Sequence, residues 1–145
     1  MPMIGWSADT AGIDFAALAR PATPNTYLAC PKGRCAAPAD EESPVLPVPA
    51  ARLLELLRAT LPAEPQTRLV RDEPDLLRLV LVQRSRVFRF PDTVTVQVFP
   101  LPQGGSTLAM YSRSNYGRSD LGVNKARIRR WMRLIMAQAI ERPKT

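Results

Sequence analysis

Apolar residues in this chain recur first at a helical period, then at every second position, then at a helical period again, and that order restricts the possible folds. Ala50, Leu53, Leu54, Leu57 and Leu61 fall on one helix face, with Arg52, Glu55 and Arg58 on the other. Pro49 suits the first helical position, where a missing N–H leaves nothing unpaired, and Pro62 stops the helix. Beyond it, Thr67 to Arg71 reads as a short strand and Glu73-Pro74-Asp75 as a turn. From Leu76 to Arg84, Leu77, Leu79 and Leu81 face one way, and Arg78, Val80, Val82 and Arg84 the other. After Arg86–Phe90 and a Pro91-Asp92 turn, Val94, Val96 and Val98 alternate with Thr93, Thr95 and Gln97. Gln103-Gly104-Gly105-Ser106 closes a hairpin onto Thr107 to Arg113. A last helix runs from about Lys125 to Ile140, with Asn124 as its N-cap and a stripe of Ile128, Trp131, Met132, Ile135, Met136 and Ala139. The expected fold is a two-layer α+β domain: a four-stranded antiparallel sheet with an N-terminal and a C-terminal helix on one face.

Residues 1–48 precede that domain, which spans residues 49–145. Pro21, Pro24, Pro31, Pro38, Pro44 and Pro47 lie too close together for a helix or an inner strand. Ile4, Trp6, Phe15, Leu18 and Tyr27 are nevertheless spread through the segment. It reads as an extended, Pro-rich arm lying on the domain, with a short helical turn around Phe15 to Leu18; a disordered leader is the rival reading.

The 145 residues suit one packed domain, and 46% hydrophobic content is in the globular range. No apolar run is long enough to span a bilayer, and Met1 to Phe15 lacks the basic start and apolar core of a signal peptide. A soluble, cytoplasmic protein is expected, or a periplasmic or membrane-associated one if the chain derives from a longer precursor. Charge is divided unevenly. Residues 1–65 carry 5 basic and 7 acidic side chains and residues 66–145 carry 15 and 6, for a total of +7. That basic half points towards an anionic partner.

There is no histidine. Ser-His and Cys-His nucleophile pairs need an imidazole, and common zinc sites need His or four thiolates, so the two cysteines support neither class and no metal or cofactor is expected. Catalysis would have to rest on carboxylates or tyrosines such as Asp92, Asp120, Tyr111 and Tyr116. Cys30-Pro-Lys-Gly-Arg-Cys35 allows three states: a small disulfide loop, inert thiols, or a thiolate activated by Lys32 and Arg34.

Three stretches resemble a known family. Gly117 to Ile128, GRSDLGVNKARI, is similar to the terminal signature of the bacterial domain of unknown function 1499 family. Pro24 to Pro31, PNTYLACP, resembles its N-terminal Pro-Asn element. Gln83 to Val98, QRSRVFRFPDTVTVQV, resembles its central segment, an Arg-Ser pair before an aromatic, an Asp and a strand. The resemblance implies a single module of unassigned activity, often secreted or membrane-tethered in other members. It carries over Arg84, Ser85, Asp92, Gly117, Ser119, Asp120, Gly122 and Asn124, whereas Tyr111 and Asn115 stand where the family has arginines.

The loop from Ser112 to Asn124 is the candidate site. In one reading, Arg113, Arg118 and Ser119 ring an anion at the start of the last helix, with Arg84, Ser85, Asp120, Asn124 and Arg127 around them. In the other, Asp120 pairs with Arg84 or Arg127, Gly117 and Gly122 supply turns, and Asn124 caps a helix. The leading expectation is a non-enzymatic module that binds an anionic small molecule or an acidic protein surface. A structural or protein-interaction domain is the alternative, and a carboxylate- or tyrosine-based enzyme a lesser one. Lys125, Arg127, Arg129, Arg130 and Arg133 form a basic helix face, either solvated or in peripheral contact with an anionic membrane. Nucleic acid is disfavoured, because the nine aromatics are not interleaved with the arginines.

Overall fold

The computed structural model describes residues 8–84, 90–117 and 122–140. Its order is a 3-10 turn at Phe15–Ala17, β1 (Thr26–Cys30), β2 (Glu41–Glu42), α1 (Ala50–Thr60), β3 (Thr67–Glu73), β4 (Arg78–Arg84), β5 (Pro91–Pro100), β6 (Ser106–Ser114) and α2 (Val123–Ile140). The class is α+β. The sheet, however, has six strands in the order β2-β1-β6-β5-β4-β3 rather than four. It is mixed, because β1 pairs parallel to β2 and antiparallel to β6.

The two extra strands come from the Pro-rich arm. TYLAC is the proline-free run between Pro24 and Pro31, and it sends Tyr27 and Ala29 to one side and Leu28 and Cys30 to the other. A strand buried on both faces reads as a continuous apolar run, so its alternation is hidden. Asp40 clamps it by accepting the N–H of Leu28 at 2.8 Å.

One face of the sheet, with Leu79, Leu81, Val94, Val96, Val98, Leu108 and Met110, packs against Leu53 and Leu57 of α1 and Ile128, Trp131 and Ile135 of α2. The other face carries Leu28, Phe99, Ala109 and Tyr111 and is covered by Phe15, Ile13 and Leu18 of the arm. The arm therefore forms a third layer and seals a second apolar cluster. Ile4 and Trp6 lie outside the described residues.

The stop signal of α1 acts as expected, whereas Pro49 is the extended N-cap before Ala50 and not the first helical residue. Leu53 donates to the carbonyl of Pro49, which sits one residue before α1, and Pro62 falls in the 3-10 turn that ends it. Two further readings need correction. Pro91-Asp92 is not a turn but the start of β5, a position proline tolerates in a strand. Asn124 is not an N-cap: α2 begins at Val123, and the Asn124 side chain is fully buried against the sheet.

Candidate functional site

Side chains alternate along a strand, so sequence neighbours at the end of this sheet are sent to opposite faces. Gln83, Asp92, Ser112 and Ser114 belong to the helix face, and Arg84, Thr93 and Arg113 to the arm face. Cross-strand register aligns each set: Gln83 with Asp92, Asp92 with Ser114, and Thr93 with Arg113.

On the helix face, Arg127 of α2 reaches down to the strands. Its guanidinium donates to Asp92 Oδ2 at 2.8 Å, Ser112 Oγ at 2.9 Å and Asn124 Oδ1 at 2.7 Å, and its Nε donates to Gln83 Oε1. Asn124 Nδ2 donates to the carbonyl of Asn25 at 2.9 Å and to Ser114 Oγ at 3.0 Å. Asn25 in turn donates to the carbonyl of Gly117, where φ is 84°. The Arg127 and Asp92 side chains are only 3% and 6% exposed. A charge pair this dry persists because its remaining donors and acceptors are satisfied, and here α2, β4, β5, β6 and Asn25, the residue before β1, are locked together by doing so.

On the arm face the same end of the sheet is wet. Arg68 of β3 stands directly across from Val82 of β4, and Gln66 meets Arg84 through the Arg84 N–H to Gln66 carbonyl bond at 3.1 Å. Arg68 and Arg84 are therefore diagonal neighbours on one face, a separation that long side chains span. They border a groove of about 580 Å³ that is also lined by Val70 and Val82, by Ala8 and Thr10 of the arm, and by Gln66 and Thr67. Arg113 lies three strands from Arg68 in the same cross-strand row, with Thr93 and Val82 between, and pairs with Asp9 at 3.2 Å. Arg71 donates to the carbonyl of Thr10 at 2.9 Å. The Asp9 carboxyl is held below its ordinary range chiefly by the Ala11 N–H, which with the lesser pull of Arg113 and Arg71 outweighs the opposing desolvation.

The expected site residues thus divide. Arg84 and Arg113 lie on the arm face, and Asn124 and Arg127 are buried on the helix face, so these four do not share one hollow. Ser85, Arg118, Ser119 and Asp120 lie outside the described residues, as does most of Arg86–Phe90. Cys30 and Cys35 are joined as a disulfide. Among the acid–base candidates, Asp92 is buried under Arg127, and Tyr111 is 2% exposed, with burial pushing its phenol upward. Tyr116 packs on Phe90, with ring centroids 5.9 Å apart. Arg129 and Arg130 of the basic helix face pair with Glu41 and Glu64. Among the described residues no helix is long and apolar enough to cross a membrane.

The sequence reading missed Asp9, Thr10, Gln66, Arg68 and Arg71. Alternation already put Arg84 on the Val82 face. Extending the register back through the Glu73-Pro74-Asp75 turn would have brought Arg68 there, but a bulge between Leu69 and Arg71 shifts the count by one.

Residues 19–135 match the family described as protein of unknown function (DUF1499), and the chain belongs to that family. No curated protein matches the chain.

Proposed function

We propose that this chain is a non-enzymatic binding module whose ligand is an anion held on the arm face, in the groove bordered by Arg68 and Arg84. The observation that supports the reading is that Arg68 and Arg84, diagonal neighbours on one face by register, line one concavity together with Val70 and Val82. Guanidinium bonds to phosphate or carboxylate are charge-assisted and among the stronger polar contacts. Gln66 and Thr10 add an amide and a hydroxyl at the rim, and Val70 and Val82 suit an apolar portion of the same ligand.

The helix-face cluster supports a different role for Asp92, Ser112, Asn124 and Arg127, which hold α2 onto the sheet. A buried Asp92 and a phenol on Tyr111 that resists ionisation argue against the carboxylate- or tyrosine-based enzyme. The ion pairs of Arg129 and Arg130 favour a solvated face for α2 over contact with anionic lipid or nucleic acid. The Cys30–Cys35 disulfide favours an oxidising compartment over the cytoplasm.

The test is a thermal-shift screen of anionic metabolites on the wild-type chain and Arg68→Ala. A ligand at tenfold its Kd stabilises the folded state by about 1.4 kcal/mol. A shift in the wild type that disappears in Arg68→Ala is the expected result. Equal shifts in both proteins, or none in either, reject the groove.

A further inference from the structure

β3 ends the sheet, so one side of its backbone has no neighbouring strand. The bond from the Arg84 N–H to the Gln66 carbonyl fixes which residues turn to that side. Together with the Arg68–Val82 register, it aims the main-chain groups of Gln66 and Arg68 at β4 and those of Thr67 and Leu69 outward. No other described residue pairs with the outward N–H and C=O of Thr67 or Leu69. The bulge between Leu69 and Arg71 breaks the outward pattern beyond that point. Arg68 stands between the two open residues, exposed on the arm face and lining the groove, with no ion-pair partner among the described residues. The side chains of Thr67 and Leu69 lie on the helix face, where Thr67 Oγ1 accepts from Gln83 Nε2 at 2.9 Å and Leu69 packs on the core.

Resting on the groove reading above, we infer that the ligand is an extended acidic peptide segment of another protein, added as a further strand along residues 67–69 of β3. Its main chain bonds the outward groups of Thr67 and Leu69. The peptide residue between those contacts then stands directly opposite Arg68, in a pair without hydrogen bonds, where side chains approach most closely. A carboxylate at that position is attracted and a basic side chain repelled. On the helix face the next peptide residue lies beside Leu69, which suits an apolar side chain. Charge also decides against a second copy of this chain. An antiparallel two-fold pairing that uses the Thr67 and Leu69 groups of both copies sets Arg68 against Arg68. A charge on an edge strand blocks self-pairing in this way, and here it also selects the partner.

The experiment titrates the full isotope-labelled chain, as wild type and as Arg68→Glu, with inorganic phosphate and with two acetylated and amidated peptides. One peptide alternates valine with glutamate and the other valine with lysine. Amide NMR reads the affinities, and hydrogen exchange reads protection of single N–H groups. The expected result is that wild type prefers the glutamate peptide by about three- to tenfold, with slowed exchange at Thr67 and Leu69. Arg68→Glu reverses that preference. Methylating the valine amide nitrogens of the glutamate peptide removes its main-chain donors and abolishes the protection. Phosphate binding that Arg68→Glu loses, with a methylated peptide that binds as well as its parent, overturns the inference and keeps the groove. Equal affinity for the two peptides overturns the inference, since charge opposite Arg68 then selects nothing. Dimerisation of the wild type that itself protects Thr67 and Leu69 overturns it in favour of a second copy. Failure to bind phosphate or either peptide overturns inference and groove together.

Discussion

The two faces of the sheet handle charge in opposite ways at the same end of the same strands. On the helix face, the Asp92–Arg127 pair is removed from water and tied to Gln83, Ser112 and Asn124. On the arm face, Arg68 is exposed, Arg113 is paired with a carboxylate that is itself mostly in water, and a groove opens between arm and strands. Dryness separates the roles. A desolvated ion pair is so costly to break that it acts as a fixed part of the fold, whereas a wet arginine costs little to hold in place and can exchange its partner.

The comparison breaks first at Asp92. Asp92→Ala leaves Arg127 buried without its carboxylate and should lower stability by about 3–5 kcal/mol in urea unfolding. Arg68→Ala should stay within about 0.5 kcal/mol. Similar costs on the two faces would mean that burial does not divide them. Next in size is the disulfide, which closes the loop beside Phe15: Ala36 N–H bonds to the Phe15 carbonyl, and Cys30 and Cys35 join the arm-face cluster. Replacing both cysteines by serine should cost about 2 kcal/mol in the chain-entropy account, read as a lower midpoint of thermal unfolding.

A smaller effect appears in acid. Asp9 and Glu73 have folded pKa values below their ordinary 3.8 and 4.5, Glu73 chiefly through its hydrogen bond from Arg78. A carboxylate with a depressed folded pKa contributes stability above its unfolded pKa and loses it as pH falls through the folded one. Their contribution should therefore be complete above pH 4.5 and decline below it, with carboxyl-carbon NMR giving both midpoints. Midpoints at or above the ordinary values would remove the arm-face field. Smallest of all is Arg58→Ala, which deletes a pair with Asp72 whose side chains are each 35% exposed. It should cost no more than about 0.5 kcal/mol, and less in high salt.

The helices and the central strands were legible because their signals are local. The Leu53–Leu57 stripe, its flanking prolines and the Val94–Val96–Val98 alternation each sit within a dozen residues. β1 was hidden because burial on both faces erases alternation and prolines bracket it. The site was half legible for a related reason. Basic residues crowd together between Ser112 and Arg130 in sequence, yet Ser112 and Arg113 look out of opposite faces. Asn124 has the chemistry of a cap, and only the packing of α2 turns it inward to Ser114 and Asn25. Arg68 joins Arg84 through pairing across a bulged hairpin, which no local window contains.

The most direct test is a phosphate titration of the isotope-labelled chain followed by amide NMR. The account predicts saturable shifts at Thr10, at Gln66 to Val70 and at Val82 to Arg84, with Asn124 to Ile128 on the helix face unmoved. Shifts confined to the exposed arginines of α2, or a spectrum unchanged at millimolar phosphate, would contradict it.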